Sequence, residues 1–199
     1  MNDTSPRRRV APLAPDDRRA ALIAATLPLL CSEGLNVSTR KIAECAGVAE
    51  GTIFRVFPDK AALISATLAH AFDPAPTIES LQAISLDPDL RFRLKTAVRI
   101  ITRRFKDNLP LIMVLRTGGF TSETMFPDAH DGLARIIDAV AELLKPDQYR
   151  LRLPAATIAW LLISMIMCGN RSQALSGQDM VTVILDGVLY PEVKREIAC

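Results

Sequence analysis

Histidine, paired cysteines and long apolar runs are scarce in this chain of 199 residues. The two histidines, His70 and His130, are far apart, and Cys31, Cys45, Cys168 and Cys199 show no C-x-x-C spacing. That argues against a structural zinc site and leaves Cys–His catalysis without local support. His130 and Asp131 are neighbours on one expected helix and therefore point apart, so they make a poor acid–base pair. No enzyme activity, cofactor or metal is expected. The most apolar run, Ile158 to Cys168, is far shorter than the ~20 residues that span a membrane. The amino terminus is polar, Pro-containing and basic instead of apolar, so a secretory signal is not expected either. A soluble protein of the reducing cytoplasm is the expectation. Charge excess is also small, at +2. It is concentrated in residues 1–60, which hold nine Lys/Arg against seven Asp/Glu, so nucleic-acid affinity would depend on local placement and pairing of subunits.

What is present is helix punctuation. Residues 1–14 (MNDTSPRRRVAPLA) read as a flexible basic arm, in which Arg7-Arg8-Arg9 are either a minor-groove arm or a solubilising tail. Pro15 and two acids then open a helix with an apolar stripe of Ala20, Ile23, Ala24, Leu27, Leu30 and Cys31, ended by Gly34. Pro28 falls inside it, where a bend is expected. Between Ser38 and Lys60 lie two short helices and a turn. Ile42, Ala43 and Ala46 form the inner face of the first, Gly47 the turn, and Ile53 and Phe57 the inner face of the second. Glu50, Gly51, Thr52 and Arg55 are left on the outer face, an arrangement suited to the DNA major groove.

Those residues carry a family resemblance. Gly34, Ser38-Thr39, Ile42-Ala43, Ala46-Gly47-Val48, Gly51-Thr52-Ile53-Phe54, Phe57, Lys60 and Leu63 resemble, in one register, the DNA-binding region of TetR-like transcriptional regulators. The resemblance covers the first third of the chain. It implies DNA contact by Thr39, Arg40, Glu50, Gly51, Thr52, Phe54, Arg55 and Lys60. Arg40 suits guanine or phosphate, Glu50 a cytosine amino group, and Thr52 and Lys60 phosphates. Phe54 stands where the family usually has tyrosine, so it can pack or touch a thymine methyl but cannot donate a hydroxyl. Val56 replaces a frequent histidine.

The expected fold is all-α: an amino-terminal three-helix helix-turn-helix DNA-binding unit over 15–60, then a helical ligand-binding and dimerisation domain over 61–199. In the latter, helices are expected over Asp59–Phe72, Thr77–Ile84, Asp89–Asn108, a further one opened by Pro110, Asp128–Leu144, Pro154–Ala174 and Gln178–Leu189. The resemblance implies an effector cavity here. Its expected lining is Ile101, Phe105, Met113, Arg116, Phe120, Met125 and Trp160, suited to an apolar or aromatic compound. The last two helices are apolar on more than one face, which places a homodimer contact in residues 154–189. The expected function is a homodimeric repressor released from a palindromic operator by a small ligand. The alternative is a small helical enzyme or ligand carrier in which the helix–turn–helix is only scaffold.

Overall fold

A computed structural model describes residues 14–84, 89–117, 129–169 and 176–188. Their regular elements are helices, with no strand among the described residues, and the chain divides into two compact units, Met1–Ala71 and Phe72–Cys199.

In the first unit, helix α1 spans Pro15–Glu33, with Pro15 in its first turn beside Asp16 and Asp17. Proline there lacks only a donor that would be unpaired anyway, and the acids face the positive end of the helix. Its buried ridge is Leu22, Thr26 and Leu30, which shares only Leu30 with the stripe expected from sequence. Ala20 and Ala24 are exposed, while Ile23, Leu27 and Cys31 are half-buried. A threonine can occupy the ridge because its Oγ1 donates to the Leu22 carbonyl at 2.7 Å, leaving no unpaired hydroxyl. The helix continues through Pro28, whose ring lies on the exposed side. Gly34 closes it at φ 73°, with its N–H on the Leu30 carbonyl.

Helix α2 spans Thr39–Ala46 and α3 spans Glu50–Val56. Ser38 caps α2 by accepting the Lys41 N–H on its hydroxyl, an interaction worth about 1 kcal/mol. Gly47 ends α2 in the left-handed region (φ 66°, ψ 30°), and the N–H of Val48 returns to the Ala43 carbonyl at 3.0 Å. A Cβ at Gly47 would meet nothing within 4 Å, so glycine is required there by the backbone alone. The turn directs α3 back across α1 and α2, burying Ile53 and Phe57 completely or nearly so. Each such side chain contributes about 1.5–3 kcal/mol. Helix α4, Lys60–Phe72, buries Leu63, Ile64 and Leu68. The first unit therefore runs to Ala71, beyond the boundary at residue 60 expected from sequence.

The second unit contains α5 (Ala75–Gln82), α6 (Leu90–Thr117), α7 (Ala129–Leu144), α8 (Ala155–Gly169) and α9 (Gly177–Val188). Helix α6 is one element of 28 residues, where the sequence suggested two. Pro110 lies on its exposed side, so the Lys106 carbonyl it leaves unpaired can face water and the helix continues. Leu94, Val98 and Ile101 of α6 share a core with Val140 and Leu144 of α7, Ile158 and Leu162 of α8, and Val181 and Leu185 of α9. Arg91 ties α6 to α9 by donating to Thr182 Oγ1 at 3.2 Å and Asp186 Oδ1 at 3.1 Å.

One buried ionic cluster was not legible from periodicity. Arg93 of α6 is 1% exposed and faces Asp147, which lies in the short 3-10 helix Lys145–Arg150. Its Nε donates to the Leu143 carbonyl at 3.2 Å, and Arg150 reaches the other carboxylate oxygen of Asp147 at 3.1 Å.

Candidate nucleic-acid interface

The outer surface of α2 and α3 is built by what their inner faces bury. With Ile42 and Ala43 inward on α2, the first turn presents Thr39 and Arg40. With Ile53 inward on α3, Glu50, Gly51, Phe54 and Arg55 are exposed and Thr52 is half-exposed. Thr39 Oγ1 donates to Glu50 Oε1 at 2.5 Å, joining the first turns of the two helices across the turn. Sequence reasoning read these two residues separately; the hydrogen bond makes them a pair that orients the carboxylate. Arg40 Nε reaches Glu44 at 3.2 Å in an i, i+4 pair whose partners are both largely in water. Such pairs contribute only about 0.3–0.5 kcal/mol, so the guanidinium is available to a stronger anion.

Phe54 is 51% exposed, an aromatic surface held in water on the recognition helix. Lys60 is placed differently from a free surface lysine. Its ammonium donates to the Leu35 carbonyl at 3.0 Å, capping the 3-10 turn Gly34–Asn36 while keeping two further N–H donors. Behind this face, the Arg19 guanidinium lies 4.5 Å from the centre of the Phe57 ring, a cation–π contact that covers the end of α3. Lys41 pairs with Glu33 at 2.6 Å and holds α2 to the end of α1. Residues 1–13, including Arg7-Arg8-Arg9, lie outside the described residues.

The seven residues expected to line an effector cavity are dispersed. Ile101 belongs to the core, Phe105 is half-buried, and Met113, Arg116 and Trp160 are exposed. Phe120 and Met125 lie outside the described residues. A groove of about 500 Å³ does occur in this unit, but none of the seven lines it. Trp160 stands on the outward side of α8 in the single chain, because Ile158, Ala159, Leu162 and Ile163 already fill the inward side. Its exposed neighbours in kind are Met167 on α8 and Val183 on α9. Cys45 and Cys168 are exposed, whereas partial burial pushes the Cys31 thiol pKa up and keeps it protonated. Among the described residues no cluster of His, Cys, Asp and Glu could hold a metal, and no helix is long and apolar enough to cross a membrane.

A capped helix–turn–helix with a polar outer face, followed by a separate helical unit, is the geometry of a nucleic-acid-reading motif joined to a second helical domain. Residues 22–67 match the family described as "Bacterial regulatory proteins, tetR family". The HTH-type transcriptional repressor KstR of Rhodococcus jostii (strain RHA1) is 33% identical over 135 residues, covering 66% of this chain and 58% of that protein. The chain thus spans less than two thirds of the length of that relative. A TetR-family transcriptional regulator from Mesorhizobium loti MAFF303099 superposes with a TM-score of 0.70 at 16% identity, over 90% of this chain and all of the other. The flavonoid-responsive regulator FrrA superposes at 0.60 and 17% identity, over 87% of this chain and 98% of its own. Residues 22–67 are thus similar to the tetR-family regulators, and the fold of the chain is like that of solved structures from that family.

Proposed function

We propose that the protein is a DNA-binding transcriptional regulator, a homodimeric repressor whose two α3 helices enter successive major grooves of a near-palindromic operator. The observation that carries this reading is the α2–α3 face. Its angle is fixed by the Ser38 cap, the left-handed Gly47 and the Thr39–Glu50 hydrogen bond, and it presents Arg40, Thr52, Phe54 and Arg55 outward. Thr52 and the remaining donors of Lys60 suit phosphates; Arg40 and Glu50 suit base edges. Phe54, with no hydroxyl, suits a thymine methyl. DNA-binding domain bounds of 15–71 fit this role better than 15–60, because the first compact unit includes α4.

The effector reading rests on chemistry and on likeness. A flavonoid-responsive relative in fold, and the strongly apolar composition of α8, favour an apolar or aromatic compound that prefers the DNA-incompetent state. Two copies associate through the outward faces of α8 and α9, and the protein acts in the cytoplasm without catalysing a reaction.

Operator selection from a random DNA pool, followed by binding titrations at two salt concentrations, tests the docking face. Lys60→Ala should weaken binding to every sequence and lower the salt slope by about one per half-site. Arg40→Ala should cost about 1–3 kcal/mol and relax preference at one base position. Wild-type behaviour of both variants on the selected operator would place the interface elsewhere, and failure to select any DNA would favour the scaffold alternative.

A further inference from the structure

The second unit carries a cationic groove that the regulator reading leaves unused. Lys95, Arg99, Arg103 and Lys106 of α6 line the cavity of about 500 Å³. Their spacing of four, four and three residues puts them along one ridge, where like charges disfavour the helix. Only Arg103 has local relief, from Asp107 at 3.8 Å, and that pair is exposed. Among the described residues no carboxylate pairs with Lys95, Arg99 or Lys106.

The opposite wall is the start of α9. At Gly177 the approach to α6 is close: a Cβ would stand 3.0 Å from Val98 Cγ1. Ser176 caps the helix by taking the Asp179 N–H on its hydroxyl and the Met180 N–H on its carbonyl. The amides of Gly177 and Gln178, in the positive first turn, remain without a partner among the described residues.

Thr102 also lines the groove and is half-buried. Thr26, Thr67 and Thr117 each return their hydroxyl to the carbonyl four residues back, whereas the Thr102 hydroxyl is buried with no hydrogen-bond partner. A buried hydroxyl without a partner is costly unless something else supplies one.

We propose that this groove is a binding site for a small organic ligand bearing at least two phosphate groups. A single phosphate is too short for it. Eleven residues separate Lys95 from Lys106, which at 1.5 Å rise per residue is roughly 16 Å along the helix. Basic groups recur at each turn along this ridge, with Val98 and their own methylene stems beside them, so two or more phosphates of one molecule can be met at once. The cavity volume is that of a small-molecule site. The inference stands independently of the DNA-binding reading.

The test is calorimetric titration of the full-length chain with inorganic tripolyphosphate, inorganic phosphate and a short DNA duplex of unrelated sequence. Tripolyphosphate should saturate one site per chain and bind at least about tenfold more tightly than phosphate. Arg99→Gln and Lys106→Gln, both at exposed positions, should each weaken it about tenfold, while Lys145→Gln, outside the groove, should leave it unchanged. Thermal melting without ligand confirms that the variants are folded, and either variant alone suffices. The proposal is overturned by absence of saturable tripolyphosphate binding or by equal losses in Lys145→Gln. It is also overturned if the groove variants lose duplex DNA while keeping tripolyphosphate.

Discussion

Replacing Asp147 with alanine should lower the stability of the second unit by about 3–5 kcal/mol. The substitution removes the countercharge facing Arg93, a guanidinium 1% exposed within the core formed by α6 and α7. Arg150 also loses its partner, but its side chain is 39% exposed and water can replace the carboxylate. A fall in melting temperature on the order of 10 °C follows for a domain of this size. The double replacement Arg93→Met with Asp147→Leu should recover most of that loss, because the pair's own desolvation cost disappears with it. Melting curves of the three proteins check this. A single variant within about 1 kcal/mol of the parent would mean that the cluster is solvated in solution and contributes little.

The second large effect concerns assembly. Within the segment expected to pair, Leu162 and Ile184 are buried inside the unit itself, so a charge there unfolds the core. The informative positions are Trp160 and Val183, at 55% and 56% exposure. Trp160→Glu combined with Val183→Glu should leave the fold intact and yield monomers in analytical ultracentrifugation. Loss of the second reader should reduce affinity for a palindromic operator by about 10²–10⁴. A doubly substituted protein that still sediments as a dimer would move the subunit contact to another face.

The parts of the fold that sequence conveyed are those set by local rules. Ser38, Gly47 and the Ile42–Ile53–Phe57 pattern act within a few residues of themselves, and the reader folds as they dictate. Errors arose where local rules leave a choice. In α1 the run AALIAATLPLL offers apolar residues on nearly every side, and the ridge that packs is selected by Leu22, Leu30 and a threonine satisfied by its own backbone. Pro110 is an acceptable helix start and an acceptable exposed interior residue, and only its orientation toward water decides between them. Nothing near Arg93 in sequence marks it as buried, because its partner lies 54 residues away. The residues expected to line an effector cavity are dispersed in the single chain for a related reason: which side of α8 is outward depends on how α7 and α9 cover it, and no property of Trp160 by itself encodes that.

The lone tryptophan therefore serves as an intrinsic gauge of quaternary state. A half-exposed indole emits at long wavelength and is readily quenched by small solutes such as acrylamide or iodide. If α8 meets its symmetry mate, concentrating the protein should shift the emission to the blue and shield it from the quencher. The concentration at which half of that change has occurred gives the association constant directly. A second optical change on adding an effector would then measure how ligand occupancy alters subunit pairing, with no dye attached and no residue replaced.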